Sequence, residues 1–178
     1  MPMSLPHRTS IGRDRYAQLP RQDLIVCASL VQNPANLGGL CRTAEAFRLG
    51  SVVVADLALT QHPMFRNLVA SAHHWQPLDA CTVAALPAWI TAQQQAGYCA
   101  IALELRADGV PLSEFRYPQK SLLVLGRELT GIPVEVSRLC DAAIAIPQFG
   151  MVESLNVQTA AAIAMYEYGR QYPLSGVE

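Results

Sequence analysis

Charge is scarce in this chain. Only 15% of its 178 residues are Asp, Glu, Lys or Arg, against 51% hydrophobic, and the net charge is −1. That balance excludes a strongly basic coat of the kind that blankets nucleic acid. Five cysteines, at 27, 41, 81, 99 and 140, form no C-x-x-C pair. An odd count without such a pair argues against a disulfide frame or a zinc site and predicts small buried thiols in a reducing compartment. No apolar run approaches the ~20 residues that a bilayer span requires, and no early stretch reads as a secretion signal. A cytoplasmic protein is expected. No G-x-G-x-x-G occurs, and Gly38-Gly39 does not supply one, so a Rossmann dinucleotide site is not indicated. His73 and His74 are adjacent and point to different faces, a poor metal pair. No metal is predicted.

What charge there is lies unevenly. Arg8, Arg13, Arg15 and Arg21 face only Asp14 within residues 1–21, and the remainder sums to −4. A basic arm (1–20) ahead of a mildly acidic domain (21–178) can touch phosphates in a salt-dependent way. It reads equally well as an ordinary solvated terminus. The hydrophobic surplus suits one compact domain, either with a helix- and alanine-rich core or with part of its apolar surface covered by a second copy.

Strand-like runs alternate with helical patterns throughout. Leu24–Leu30, Ser51–Asp56, Cys81–Val83, Tyr98–Leu103, Ser121–Leu125 and Ala142–Ile146 read as strands. Helices are expected after Asn36 and ending at Gly50, over Pro63–His73, near Leu86–Gln95, around Val134–Leu139, and from Ser154 to about Arg170. The alternation predicts an α/β fold, a mostly parallel sheet with helices on both faces.

Three segments share one layout, an apolar run, a Gly/Pro/Asn-rich turn and a new element. They are Asn33–Thr43, Leu125–Pro133 and Ile146–Val157. Strand C-termini in such sheets are where ligands sit, so these turns, carrying Arg42, Glu128 and Asn156, predict a pocket with a polar reaction centre.

Their order and wording resemble the three signature motifs of the SpoU/TrmH branch of the SPOUT superfamily. N-x-G-x-x-x-R is met by Asn36, Gly38 and Arg42; G-x-E-x-x-G by Gly126, Glu128 and Gly131; and I-P followed by S-L-N by Ile146, Pro147, Ser154, Leu155 and Asn156. The resemblance implies a C-terminal trefoil knot, a homodimer with its site across the interface, and S-adenosylmethionine as cofactor. It places Leu103, Gly126, Ile146, Ser154 and Leu155 around that cofactor, and Arg42, Asn36, Glu128, Ser154 and Asn156 at the catalytic centre. The activity implied is methyl transfer to a ribose 2′-hydroxyl of RNA. The run from Asn36 to Thr43, together with Glu104 and the segment Trp75–Leu78, is most similar to catalytic domains that methylate a guanosine in the tRNA D-loop. A ribosomal RNA substrate, or a catalytically silent RNA-binding protein of the same fold, is the alternative.

Chemistry assigns the roles. A 2′-hydroxyl attacks only if its developing negative charge is stabilised, and a guanidinium can hold phosphate and that oxygen together. Arg42 is the candidate, as an electrostatic stabiliser rather than a base, since a guanidinium gives up a proton only at great cost. Asn36 is expected to cap its helix, and the resemblance implies that it helps fix Arg42. Glu128 would either pair with Arg42 or bind an RNA group. Ser154 and Asn156 would combine capping with a substrate or cofactor contact. Further RNA contacts are expected from the arm, from Arg48, Arg66, Arg116 and Arg170, or from a partner chain. Arg127 either reaches phosphate or snorkels to water, and Trp75 is either core or a base-stacking surface.

Overall fold

The computed structural model describes residues 12–152 and 154–174. Seven parallel strands form one sheet in the order β3-β2-β1-β6-β4-β7-β5. They are β1 (Gln22–Cys27), β2 (Leu49–Val54), β3 (Leu78–Ala80), β4 (Cys99–Leu103), β5 (Val110–Pro111), β6 (Ser121–Val124) and β7 (Ala142–Ala145). Between and around them run α1 (Arg13–Gln18), α2 (Pro34–Ala46), α3 (Pro63–Val69), α4 (Leu86–Gln95), α5 (Val134–Ser137) and α6 (Val157–Gln171).

The near-continuous apolar runs of the central strands follow from burial on both faces. Leu24, Val26, Leu123, Ile101 and Ile144 point into a core shared with Leu37, Leu40 and Ala44 of α2, Phe65 and Val69 of α3, and Ala161, Met165 and Tyr168 of α6. Their alternating neighbours Cys27, Leu122, Val124, Ala100, Ala102 and Ala143 pack on the other side with Leu86 and Ile90 of α4 and Val136 of α5. The α/β architecture expected from the alternation is therefore present. Strand order matters for the site. The chain lays down β1 and β4 with a gap between them, then fills it with β6, and fills the gap between β4 and β5 with β7. The ends of β6 and β7 are thus brought beside those of β1 and β4.

Four local expectations need correction. Gly50 does not end α2, which stops at Ala46; it lies within β2, where an added Cβ would meet the Gln22 carbonyl oxygen at 3.0 Å. The reversal is made by Arg48, in the left-handed region at φ 51°. The helix from Pro63 stops at Val69 because Ala70 takes φ 53°, and a short 3-10 turn, Ala72–His74, follows. The third strand is Leu78–Ala80, three residues earlier than its β-branched neighbours suggested. The last helix begins at Val157, since Asn156 is its cap.

Arg8, like all of residues 1–11, lies outside the described residues, as does Glu153. Tyr16, Leu19, Pro20 and Arg21 contact the domain. The Tyr16 ring meets Trp75 edge-on at 5.3 Å between centroids, and the Arg48 guanidinium lies 4.4 Å from its centre. Arg48 is only 7% exposed and donates to the carbonyls of Leu19 at 2.6 Å and Pro20 at 3.2 Å. It is therefore a structural cation and not a surface available to RNA. Trp75 likewise packs against the protein's own tyrosine.

Candidate active site

Helix α2 starts at the C-terminal edge of β1 with Asn33 as its cap, the side chain accepting from the Ala35 N–H at 2.9 Å. Proline at the next position suits a helix first turn. Asn36 is therefore not the cap. Sitting inside the first turn, it donates through Nδ2 to Glu128 Oε1 at 3.1 Å and accepts through Oδ1 from Asn156 Nδ2 at 3.1 Å. Asn156 in turn caps α6, its Oδ1 accepting from the N–H groups of Gln158 at 2.9 Å and Thr159 at 3.2 Å. One chain of hydrogen bonds thus joins all three sequence motifs.

Glu128 is placed by a tight turn after β6. Arg127 and Gly131 exchange backbone hydrogen bonds at 2.9 and 3.0 Å, and Gly131 takes φ 68°, which glycine adopts without strain. Gly126 sits where an added Cβ would lie 2.7 Å from the Gly131 carbonyl carbon, so no larger residue fits. Besides Asn36, the Glu128 carboxylate accepts from the N–H groups of Asn33 at 3.1 Å and Gln32 at 3.4 Å. Burial alone would raise its pKa, but these hydrogen bonds and its own N–H outweigh that and hold it below the ordinary carboxylate value. Among the described residues its partners are amides, so the ion pair with Arg42 is not formed.

Arg42 lies on α2 six residues beyond Asn36. It is exposed and takes part in none of the ion pairs formed among the described residues, which are Arg21–Glu45, Arg106–Asp108 and Arg170–Glu167. Its neighbour Cys41 is no nucleophile, because burial and the nearby Glu45 push that thiol up to about 12.

Four residues expected at the cofactor, Leu103, Ile146, Ser154 and Leu155, line one cavity of about 140 Å³ together with Glu104, Ile144, Gln148 and Ala160. The fifth, Gly126, is not among its walls. Apolar side chains from β4, β7 and the start of the α6 segment face it, and the Gln148 Oε1 is buried without a hydrogen-bond partner. Apolar walls and an unsatisfied acceptor match in chemistry the apolar faces and the amino and hydroxyl donors of a purine nucleoside. A larger cavity, about 530 Å³, shares Glu104 but is otherwise walled by Arg106, Asp108, Ile132, Val134, Ser137, Arg138 and Cys140, with no residue of the third motif. The third-motif walls of the smaller cavity favour it as the cofactor slot. No group of three or more His, Cys, Asp and Glu among the described residues could hold a metal, and no described helix is long and apolar enough to cross a membrane.

The fold is shared with known proteins. The fold overlays that of the TrmH/SpoU tRNA modifying enzyme of A. aeolicus with a TM-score of 0.75 at 27% identity, covering 88% of this chain and 78% of that one. An AdoMet-bound rRNA methyltransferase from Sinorhizobium meliloti gives 0.76 at 25% identity, covering 89% and 60%. In sequence, residues 23–166 match the SpoU rRNA Methylase family, and the chain belongs to that family. Relatives named tRNA (guanosine(18)-2'-O)-methyltransferase include mouse TARBP1, 39% identical over 93% of this chain and 11% of its own length. The Saccharomyces cerevisiae protein of that name is 36% identical over 85% and 11%, and the Escherichia coli K12 protein 32% identical over 92% and 72%. The chain thus spans about a tenth of the mouse and yeast relatives.

Proposed function

We propose that this chain transfers a methyl group from S-adenosylmethionine to a ribose 2′-hydroxyl of tRNA, on a guanosine of the D-loop. The observation that carries the reading is the Asn156–Asn36–Glu128 chain, which assembles three distant motifs beside an apolar slot. The names of the relatives support the substrate. S-adenosylmethionine, when bound, supplies an electrophilic methyl on a sulfonium sulfur. Leu103, Ile146 and Leu155 would wall the adenosine, and Ser154 would contact its polar edge. Arg42 would hold the substrate phosphate and donate to the 2′-oxygen as charge develops there, with the proton passing to phosphate or water. Asn36, Glu128 and Asn156 would keep the start of α2 in place, so that Arg42 needs no rearrangement at the moment of reaction.

Three structural readings accompany it. The late insertion of β6 and β7 into gaps between earlier strands supports the trefoil knot. Ile163 and Tyr166 on α6, 40% and 59% exposed, support a homodimer that covers them. Five thiols without a disulfide support a reducing, cytoplasmic setting.

Incubation of the purified protein with labelled S-adenosylmethionine and bulk tRNA, followed by mapping of alkali-resistant dinucleotides, tests the reading. Label on a D-loop ribose is expected; label confined to bases would overturn it. A ribosomal RNA substrate is the second reading, favoured by the likeness to the S. meliloti rRNA methyltransferase, and ribosomal RNA belongs in the same assay.

A further inference from the structure

Helix α2 carries only two charged side chains, Arg42 and Glu45. They stand three residues apart, a spacing at which opposite charges meet on a helix surface. Helical side chains also lean toward the N-terminus, which would carry the Glu45 carboxylate toward Arg42. Left to itself, this pair would hold the guanidinium on its own helix.

The pair does not form, because both carboxylate oxygens of Glu45 are engaged elsewhere. Oε1 accepts from the Tyr16 hydroxyl, and Oε2 accepts from Arg21 Nη2 at 2.9 Å. Arg21 is fixed in turn by the Trp75 carbonyl at 2.7 Å, the Leu49 carbonyl at 3.1 Å and Gln76 Oε1 at 3.3 Å. The Tyr16 ring is held between Trp75 and Arg48. The Glu45 side chain is 11% exposed in this cage, while Arg42 remains exposed on the same helix.

We infer that residues 16–21 act as a positioning brace that sequesters Glu45 and thereby keeps Arg42 unpaired for its RNA substrate. Tyr16 and Arg21 are positioning residues; neither touches the reacting atoms. The inference rests on the proposed role of Arg42. It goes beyond that role by assigning work to a segment outside all three motifs.

The test is a rescue experiment on the full chain. Single-turnover methyl transfer to tRNA is measured for wild type, Tyr16→Phe/Arg21→Gln, Glu45→Gln and the triple variant, with thermal melting and S-adenosylmethionine affinity alongside. Releasing Glu45 to compete for Arg42 should slow transfer about threefold, the scale of a helix-surface ion pair. Removing its charge should restore the rate in the triple variant, although that variant has lost more native contacts. Glu45→Gln alone should match wild type, and cofactor affinity should not move in any variant. A double variant as fast as wild type, or a triple variant no faster than the double, would overturn the inference, since loss of mere structure is not repaired by a further deletion. Should the double variant fail to fold, Tyr16→Phe with and without Glu45→Gln asks the same question, and absence of rescue there counts equally against it. A wild-type protein that methylates no ribose would instead overturn the proposed function.

Discussion

Asn156 Nδ2 donates to Asn36 Oδ1 at 3.1 Å, joining the cap of α6 to the first turn of α2 across 120 residues of chain. The same Asn156 offers its oxygen to two N–H groups at the head of α6, so one side chain serves the fold and the site at once. Substitution can separate the two. Asn156→Ala loses the cap, worth about 1 kcal/mol, and loses the Asn36 contact. Asn156→Ser keeps a capping oxygen but has no amide donor to reach Asn36. Both variants should transfer methyl groups more slowly, while only Asn156→Ala should melt at a lower temperature. Full activity in Asn156→Ser would confine this residue to capping.

Arg42→Ala should reduce methyl transfer by ~10²-fold or more, since one preorganised donor to a developing oxyanion is worth roughly 3 kcal/mol. Cofactor affinity, read by calorimetry, should hardly change, because Arg42 is not among the walls of the proposed cofactor slot. Arg42→Lys should fail as well, for want of the two-pronged geometry. Near-normal turnover in either variant would remove Arg42 from the mechanism.

Much of this site was legible in the sequence, and the parts that were not share a cause. Asn36, Glu128 and Asn156 could be singled out by motif, and the alternation of strand-like runs with helical patterns indicated the parallel sheet that brings their loops together. Which asparagine caps α2 was not legible: Asn33 and Asn36 both precede or open an apolar helix, and only the backbone shows that the turn starts at Pro34. The fate of Arg48 and Arg21 was hidden for a related reason. A cation reads as solvated unless its carbonyl partners are known, and those of Arg21 come from Leu49 and Trp75, far along the chain. Glu45 gave no signal beyond being an acid in a helix, and its partners lie 24 and 29 residues away.

The two glycines of the second motif should respond differently to alanine. A Cβ on Gly126 would lie 2.7 and 2.9 Å from backbone atoms of Gly131, so the turn bearing Glu128 must open. A Cβ on Gly131 meets nothing within 4 Å and suffers only the positive φ of 68°, a cost of about 1–2 kcal/mol. Gly126→Ala should therefore weaken both stability and methyl transfer more than Gly131→Ala. Equal behaviour of the two would mean that the turn relaxes around the added methyl.

Acidification should expose the Glu128 network. Its carboxyl pKa lies below the ordinary value of 4.5 in the folded protein, through hydrogen bonds that outweigh burial. A depressed folded pKa contributes stability that is present above the ordinary value and lost as pH falls through the folded one. Glu128→Gln should thus be less stable than wild type near neutral pH, and the gap should narrow as pH drops below about 4.5. A gap independent of pH would show that the charge of Glu128 contributes nothing to the fold.

Truncation separates the two halves of the arm. Removing residues 1–11 takes away Arg8 and His7 but spares Tyr16, Leu19 and Pro20, which hold Glu45 and Arg48. Removing residues 1–20 takes from the Arg48 guanidinium, buried in the intact protein, the carbonyls of Leu19 and Pro20. Hydrogen bonds to charged groups are worth about 1.5–3 kcal/mol each, and a chain of this size loses roughly 2–4 °C of Tm per kcal/mol. The longer truncation should therefore melt several degrees lower, and the shorter one should melt like wild type. If Arg8 touches phosphate, the shorter truncation should also flatten the slope of log K for tRNA against log salt by about 0.7–0.9. An unchanged slope would place the phosphate contacts on the domain, and equal melting of both truncations would show that residues 12–20 are not braced through Arg48.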